Sequence, residues 1–204
     1  AMSYILAVHV PIAGVAMLPV LFGWPALLYP MHIALLELII DPACSIVLEA
    51  QRAEQNVMQR PPRHPANPLF SRALASWSIL QGTLALLIIT AVYLFATRKG
   101  LPQEDVRSVA FVALAGMNLA LVFVNRSFRA SLRETLGEPN TPLWWGLALV
   151  VGILTVLLAW PAARTFLGLG ALQFEGLALS LAAAFVLFVM LQLLKRAWAP
   201  RLAM

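Results

Sequence analysis

The second apolar stretch of this chain carries two carboxylates four residues apart, in Leu35-Leu36-Glu37-Leu38-Ile39-Ile40-Asp41-Pro42-Ala43-Cys44. Acidic side chains in such a run are costly. An Asp at the centre of a membrane-crossing helix costs about 2.5–3.5 kcal/mol on insertion scales. On an α-helix the i,i+4 spacing puts Glu37 and Asp41 on one face. Pro42 follows at once. It has no N–H, so the carbonyl of Leu38 loses its i→i+4 partner, and the ring pushes the helix open. Two anionic groups and a freed carbonyl then share one side of a helix. Hard cations take oxygen ligands of this kind, and discontinuous membrane helices with unwound carbonyls hold ions near the bilayer midplane. The pattern predicts a cation site with Glu37 and Asp41 as metal ligands, the Leu38 carbonyl beside them and Pro42 as the helix breaker. Two carboxylates this close also let one of them hold a proton, so proton exchange belongs to the same chemistry. The alternative is that one carboxylate reaches an interface or pairs with a cation on a neighbouring span.

The first apolar stretch carries a weaker version. His9 and Pro11 lie in its middle, and Pro11 frees the carbonyl of Ala7 by the same argument. His9 is suited to ligating a metal, carrying a proton or donating to Glu37, and equally to a hydrogen-bonded structural role. His32 reads as interfacial, at the mouth of the second stretch. Gln81 and Thr83 in the third stretch and Asn118 in the fourth are the other notable mid-span polar groups. Polar side chains between membrane helices are commonly packing contacts worth roughly 0.6 kcal/mol each, which is the reading for Gln81. Cys44, the single cysteine, reads as a small packing residue and excludes an intramolecular disulfide or a cysteine-based zinc site. No residue is assigned to catalysis.

The elements that must position these groups follow from composition. Of 204 residues, 61% are apolar and 11% charged, with a mean hydropathy of +0.85. That is too little charge for the surface of a soluble domain. Runs of about 20 apolar residues match the roughly 30 Å hydrocarbon core of a bilayer. The predicted class is all-α, a polytopic membrane protein built as a six-helix transmembrane bundle. The predicted spans are 3–22, 27–48, 74–96, 107–125, 142–162 and 177–195, and Gly23-Trp24-Pro25 makes spans one and two a tight hairpin. The net charge of +5 does not point to nucleic acid, because the basic residues gather in the gaps between spans. Arg52, Arg60, Arg63, Arg72, Arg126, Arg129, Arg133, Lys195, Arg196 and Arg201 fall on one side, against Arg98, Lys99, Arg107 and Arg164 on the other. That asymmetry predicts a cytoplasmic loop at 49–73 and a cytoplasmic C-terminus. Trp144, Trp145 and Trp160 lie where interfacial aromatics belong. No connection reaches the ~50 residues at which soluble domains begin.

The run Glu37-Leu-Ile-Ile-Asp41-Pro42, then Asn56-Val-Met-Gln-Arg60-Pro61-Pro62-Arg63 and Asn67-Pro68-Leu69-Phe70, resembles the sixth transmembrane helix and following loop of P-type cation-transporting ATPases of the calcium-pump-like subgroup. On this resemblance residues 1–204 are the C-terminal membrane domain of such a pump, and the spans are the family's helices five to ten. It implies that Asp41 matches the acidic ligand of helix six and Glu37 an asparagine-type ligand one turn earlier. His9 falls where helix five carries an asparagine ligand, and Asn118 near the helix-eight ligand. Ile12 and Ile40 stand where calcium pumps carry a glutamate and a threonine. The implied cargo is thus a single divalent cation such as calcium, or proton-coupled transport, rather than two calcium ions.

The resemblance also implies that ATP and magnesium belong to the parent protein. The aspartates here, Asp41 and Asp105, are not followed by Lys-Thr-Gly, and phosphoryl transfer needs a nucleophile, a metal and positioned phosphates. The expected partners are the lipid bilayer and the upstream helices and cytoplasmic domains of the same pump, in the plasma membrane, with no nucleic acid. The start at Ala1 inside an apolar run reads as the middle of a longer protein. Two other readings stay open: a stand-alone small cation- or proton-coupled transporter or channel, and an inactive truncated fragment.

Overall fold

The computed structural model describes residues 2–50, 71–126 and 141–202. The predicted loop at 49–73, with its Asn56–Arg63 and Asn67–Phe70 motifs, lies almost wholly outside the described residues, as does the connection after Arg126. Helix α1 runs Met2–Phe22 and is followed by α2, Pro30–Leu35. A π-helical turn, Leu36–Ile40, continues α2 directly into α3, Asp41–Glu49. Then come α4, Arg72–Arg98, and α5, Gln103–Asn125. The last three are α6, Thr141–Ala159, α7, Pro161–Leu167, and α8, Phe174–Leu202. Six stretches are long and apolar enough to cross a membrane, α2 to α3 counting as one. The chain is an all-α, multi-pass membrane protein, as the sequence predicts.

The helix ends follow local chemistry. Ser71 caps α4, its Oγ accepting from the Leu74 N–H at 3.1 Å. Glu104 and Asp105 occupy the first turn of α5, where negative charge meets the positive end of the helix dipole. Pro161 sits at the first position of α7, which Pro tolerates because no N–H is needed there. The fifth span therefore stops at Ala159 rather than at 162. Gly168 closes α7 with φ +62°, a left-handed conformation open to glycine at little cost.

Helix α5 is the hub. Of its most apolar stretch 83% is buried, against 11% for α6, so α5 is the inner helix and α6 a lipid-facing one. It packs most closely on α8 and also touches α4, α3, α1 and α6. Helix α1 lies along α4. Gly82 permits that approach, since a Cβ there would fall 2.6 Å from the Ala7 carbonyl oxygen and 2.5 Å from Val10 Cβ. The tight hairpin expected of spans one and two is corrected accordingly. Their backbones are joined by a short connection, yet α1 takes α4 and α5 as its close backbone neighbours. It meets the second span through side chains.

Candidate functional site

The second span is opened at the place where Pro42 requires it. The Asp41 N–H bonds to the Leu36 carbonyl, five residues back. In the α register the N–H of residue 42 would serve the carbonyl of Leu38, and in the π register that of Glu37. Proline serves neither. A wide turn spreads the misfit over Leu36–Ile40, and such turns recur at functional sites. The i,i+4 alignment of Glu37 and Asp41 presumes an unbroken α-helix. The π turn lies between them, and the two carboxylates take different partners.

Asp41 faces the bundle and is 8% exposed. Its Oδ1 accepts from Asn118 Nδ2 of α5 at 3.0 Å and from the Tyr4 hydroxyl of α1 at 3.3 Å. Its Oδ2 is buried with no hydrogen-bond partner among the described residues, and so is Asn118 Oδ1. Two oxygen acceptors are thus enclosed and unpaired, a costly condition. Glu37 lies at the edge, its Oε2 3.3 Å from His9 Nε2, with the side chains 32% and 54% exposed respectively. His9 Nδ1 is 2.7 Å from the Ile5 carbonyl oxygen. A carbonyl only accepts, so the tautomer with its hydrogen on Nδ1 satisfies this contact and leaves Nε2 turned toward Glu37.

The structure therefore brings together the sequence-predicted residues Asp41 and Asn118, and separately His9 and Glu37. Among the described residues no three His, Cys, Asp or Glu side chains converge into a metal-binding group. Pro11 is buried in α1, and the Ala7 carbonyl it frees lies against Gly82 of α4, in the packing seam between those helices. Leu38 is 75% exposed, on the edge that Glu37 shares.

Two groups carry polar chemistry that sequence patterns do not single out. Ser3, Ser78, Gln81 and Asn125 form a buried layer joining α1, α4 and α5. Asn125 Nδ2 donates to Gln81 Oε1 at 2.7 Å, Gln81 Nε2 reaches Ser3 Oγ at 3.3 Å, and Ser3 and Ser78 hydroxyls are 2.9 Å apart. Gln81 is packing glue in the predicted sense, with named partners; Thr83 is exposed. At the opposite end, Arg107 Cζ lies 3.9 Å above the Tyr29 ring, and its Nη1 donates to the Gly168 carbonyl. His32 is fully buried in the first turn of the second span, stacked on Tyr29 and tilted against Phe111. Its Nδ1 accepts from the Tyr29 N–H at 2.9 Å, so this histidine fastens the start of α2. Cys44 is a buried packing residue.

Residues 25–197 match the family model described as cation transporting ATPase, C-terminus. A comparison with curated proteins finds no match.

Proposed function

This chain belongs to the family of cation-transporting ATPase C-terminal regions, and from that membership we propose that its second span supplies part of the intramembrane ion site of an ATP-driven pump. Asp41 and Glu37 act as cation ligands, with Asn118 Oδ1 and backbone oxygen freed around Pro42 completing this chain's share. ATP and magnesium are handled by other parts of the parent protein. The cargo is a divalent cation, calcium among the candidates, with protons returning in exchange. The resemblance to calcium-pump-like members and the carboxylate and amide oxygens that Asp41 and Asn118 offer support that class.

One observation carries the reading: a buried carboxylate in an opened membrane helix has one oxygen held by two donors and the other left without a partner. Intramembrane acids of this kind are costly to keep and mark ion pathways. The His9 imidazole 3.3 Å from Glu37 supports exchange, because a cation arriving at Glu37 competes for the same carboxylate oxygen. The excess of basic residues in the gaps on one side supports a topology with the C-terminus in the cytoplasm.

The test is cation-stimulated ATP hydrolysis by the intact ATPase, scanned over calcium, manganese, zinc and proton concentration. Asp41→Asn should abolish the stimulation by the transported ion while the protein still inserts. Glu37→Gln should weaken it by about tenfold or more, as losing one charged ligand implies. Wild-type ion dependence in both variants would make the acidic pair structural.

A further inference from the structure

We propose that Tyr4 is a specificity-determining positioning residue that makes Asp41 a one-oxygen ligand and so selects small divalent cations over calcium. This rests on the ion-site reading above and names its substrate class.

Each carboxylate oxygen has two lone pairs. Asn118 Nδ2 and the Tyr4 hydroxyl both donate to Oδ1 of Asp41, which fills both. Oδ2 keeps both of its lone pairs in an enclosed, unpaired state. A cation entering here is offered Oδ2 by Asp41, and Asn118 Oδ1 is a second enclosed, unpaired acceptor. Bidentate binding by Asp41 would require a donor to leave Oδ1.

Tyr4 is held where it stands. It is fully buried in the face of α1 that carries Ala7 and Val8, so its ring cannot swing away without opening the core. Calcium takes six to eight oxygens at about 2.3–2.6 Å and readily uses both oxygens of a carboxylate, whereas smaller ions are satisfied by fewer, single-oxygen contacts in octahedral order. Manganese(II) shares that preference for octahedral oxygen sites.

The experiment uses the intact ATPase at fixed magnesium-ATP. The half-maximal concentrations of manganese and calcium are measured for wild type, Tyr4→Phe and Asp41→Asn. Tyr4→Phe keeps the buried ring and frees one lone pair on Oδ1. Wild type should favour manganese, and Tyr4→Phe should move the ratio toward calcium by about tenfold, roughly the worth of one added ligand contact. A role confined to packing would change stability or velocity and leave the ion ratio alone.

If Tyr4→Phe keeps the wild-type ratio while Asp41→Asn loses ion dependence, this inference falls and the ion site stands. If Asp41→Asn behaves as wild type, the site reading falls and takes the inference with it. A second measurement needs no variant. Infrared difference spectra on adding manganese to the wild-type protein, with ring-deuterated tyrosine for assignment, should show a tyrosine hydroxyl band shift as the ion draws charge from Asp41. Silence in the tyrosine bands overturns the proposal.

Discussion

Asn118 and His9 illustrate how burial ranks side chains that share one site. Asn118 is 1% exposed, and its amide both holds Asp41 and presents an unpaired oxygen. Removing it strips a donor from an enclosed carboxylate, which is among the costlier changes for a buried polar group. His9 is half exposed and touches Glu37 at the rim. Asn118→Leu is thus expected to raise the half-maximal cation concentration of the intact ATPase by about tenfold or more, and His9→Gln by only about two- to threefold, the lesser worth of a partly exposed contact. A titration of ATP hydrolysis against cation reads both. Equal effects would mean that rim and interior contribute alike. The carboxylates were legible in the sequence because acid inside an apolar run has few benign explanations. Asn118 came from the resemblance. Tyr4 was not legible, since a tyrosine in an apolar helix reads as filler until a carboxylate from another span is seen at its hydroxyl. Ser3, Ser78 and Asn125 escaped for the same reason, being small polar groups without a pattern of their own.

At the scale of the element, the second span is the informative one. All six spans were legible from apolar runs of bilayer length, and their ends missed where a proline or cap redraws them, as at Pro161. What the run of residues 35–44 did not disclose is how the backbone would absorb Pro42. An α-helix kinked at one carbonyl and a π turn spread over Leu36–Ile40 are both answers to a missing N–H, and packing of Asp41 onto Tyr4 and Asn118 selects the second. Pro42→Ala returns the missing donor and removes the clash, so the span is free to close toward regular α-helix. The expected result is a more stable protein, by up to about 3 kcal/mol, with weaker cation binding as Asp41 rotates off its two donors. Thermal unfolding in detergent and cation titration of the same preparation check the two halves. A variant that gained stability and kept its affinity would show that the π turn is not needed to aim the carboxylate.

At the scale of the whole molecule, the bundle has two kinds of outer surface, and their chemistry differs. Helices α6 and α8 present Trp145, Leu149, Val156, Leu181 and Phe185, an apolar exterior suited to lipid. The edge formed by α1 and the second span presents Leu38 beside the His9–Glu37 pair, and two polar, ionisable side chains against acyl chains are costly. Two surfaces built from spans that are all apolar enough to cross a membrane therefore suit different neighbours: lipid on one side, protein on the other. On the proposed function the expected occupant is membrane helices of the same ATPase, whose oxygens would complete a site that this chain leaves open at the Glu37 edge. Spin labels on single cysteines in a Cys44→Ala background distinguish the two. In the intact ATPase a label at position 38 should show low accessibility to dissolved oxygen, and one at position 181 should show the high accessibility of a lipid-facing residue. Expressed without the rest of the ATPase, the 204-residue chain should show high accessibility at both. High accessibility at position 38 in the intact protein would leave the carboxylate edge facing lipid, and an ion site shared across that edge would have no second half.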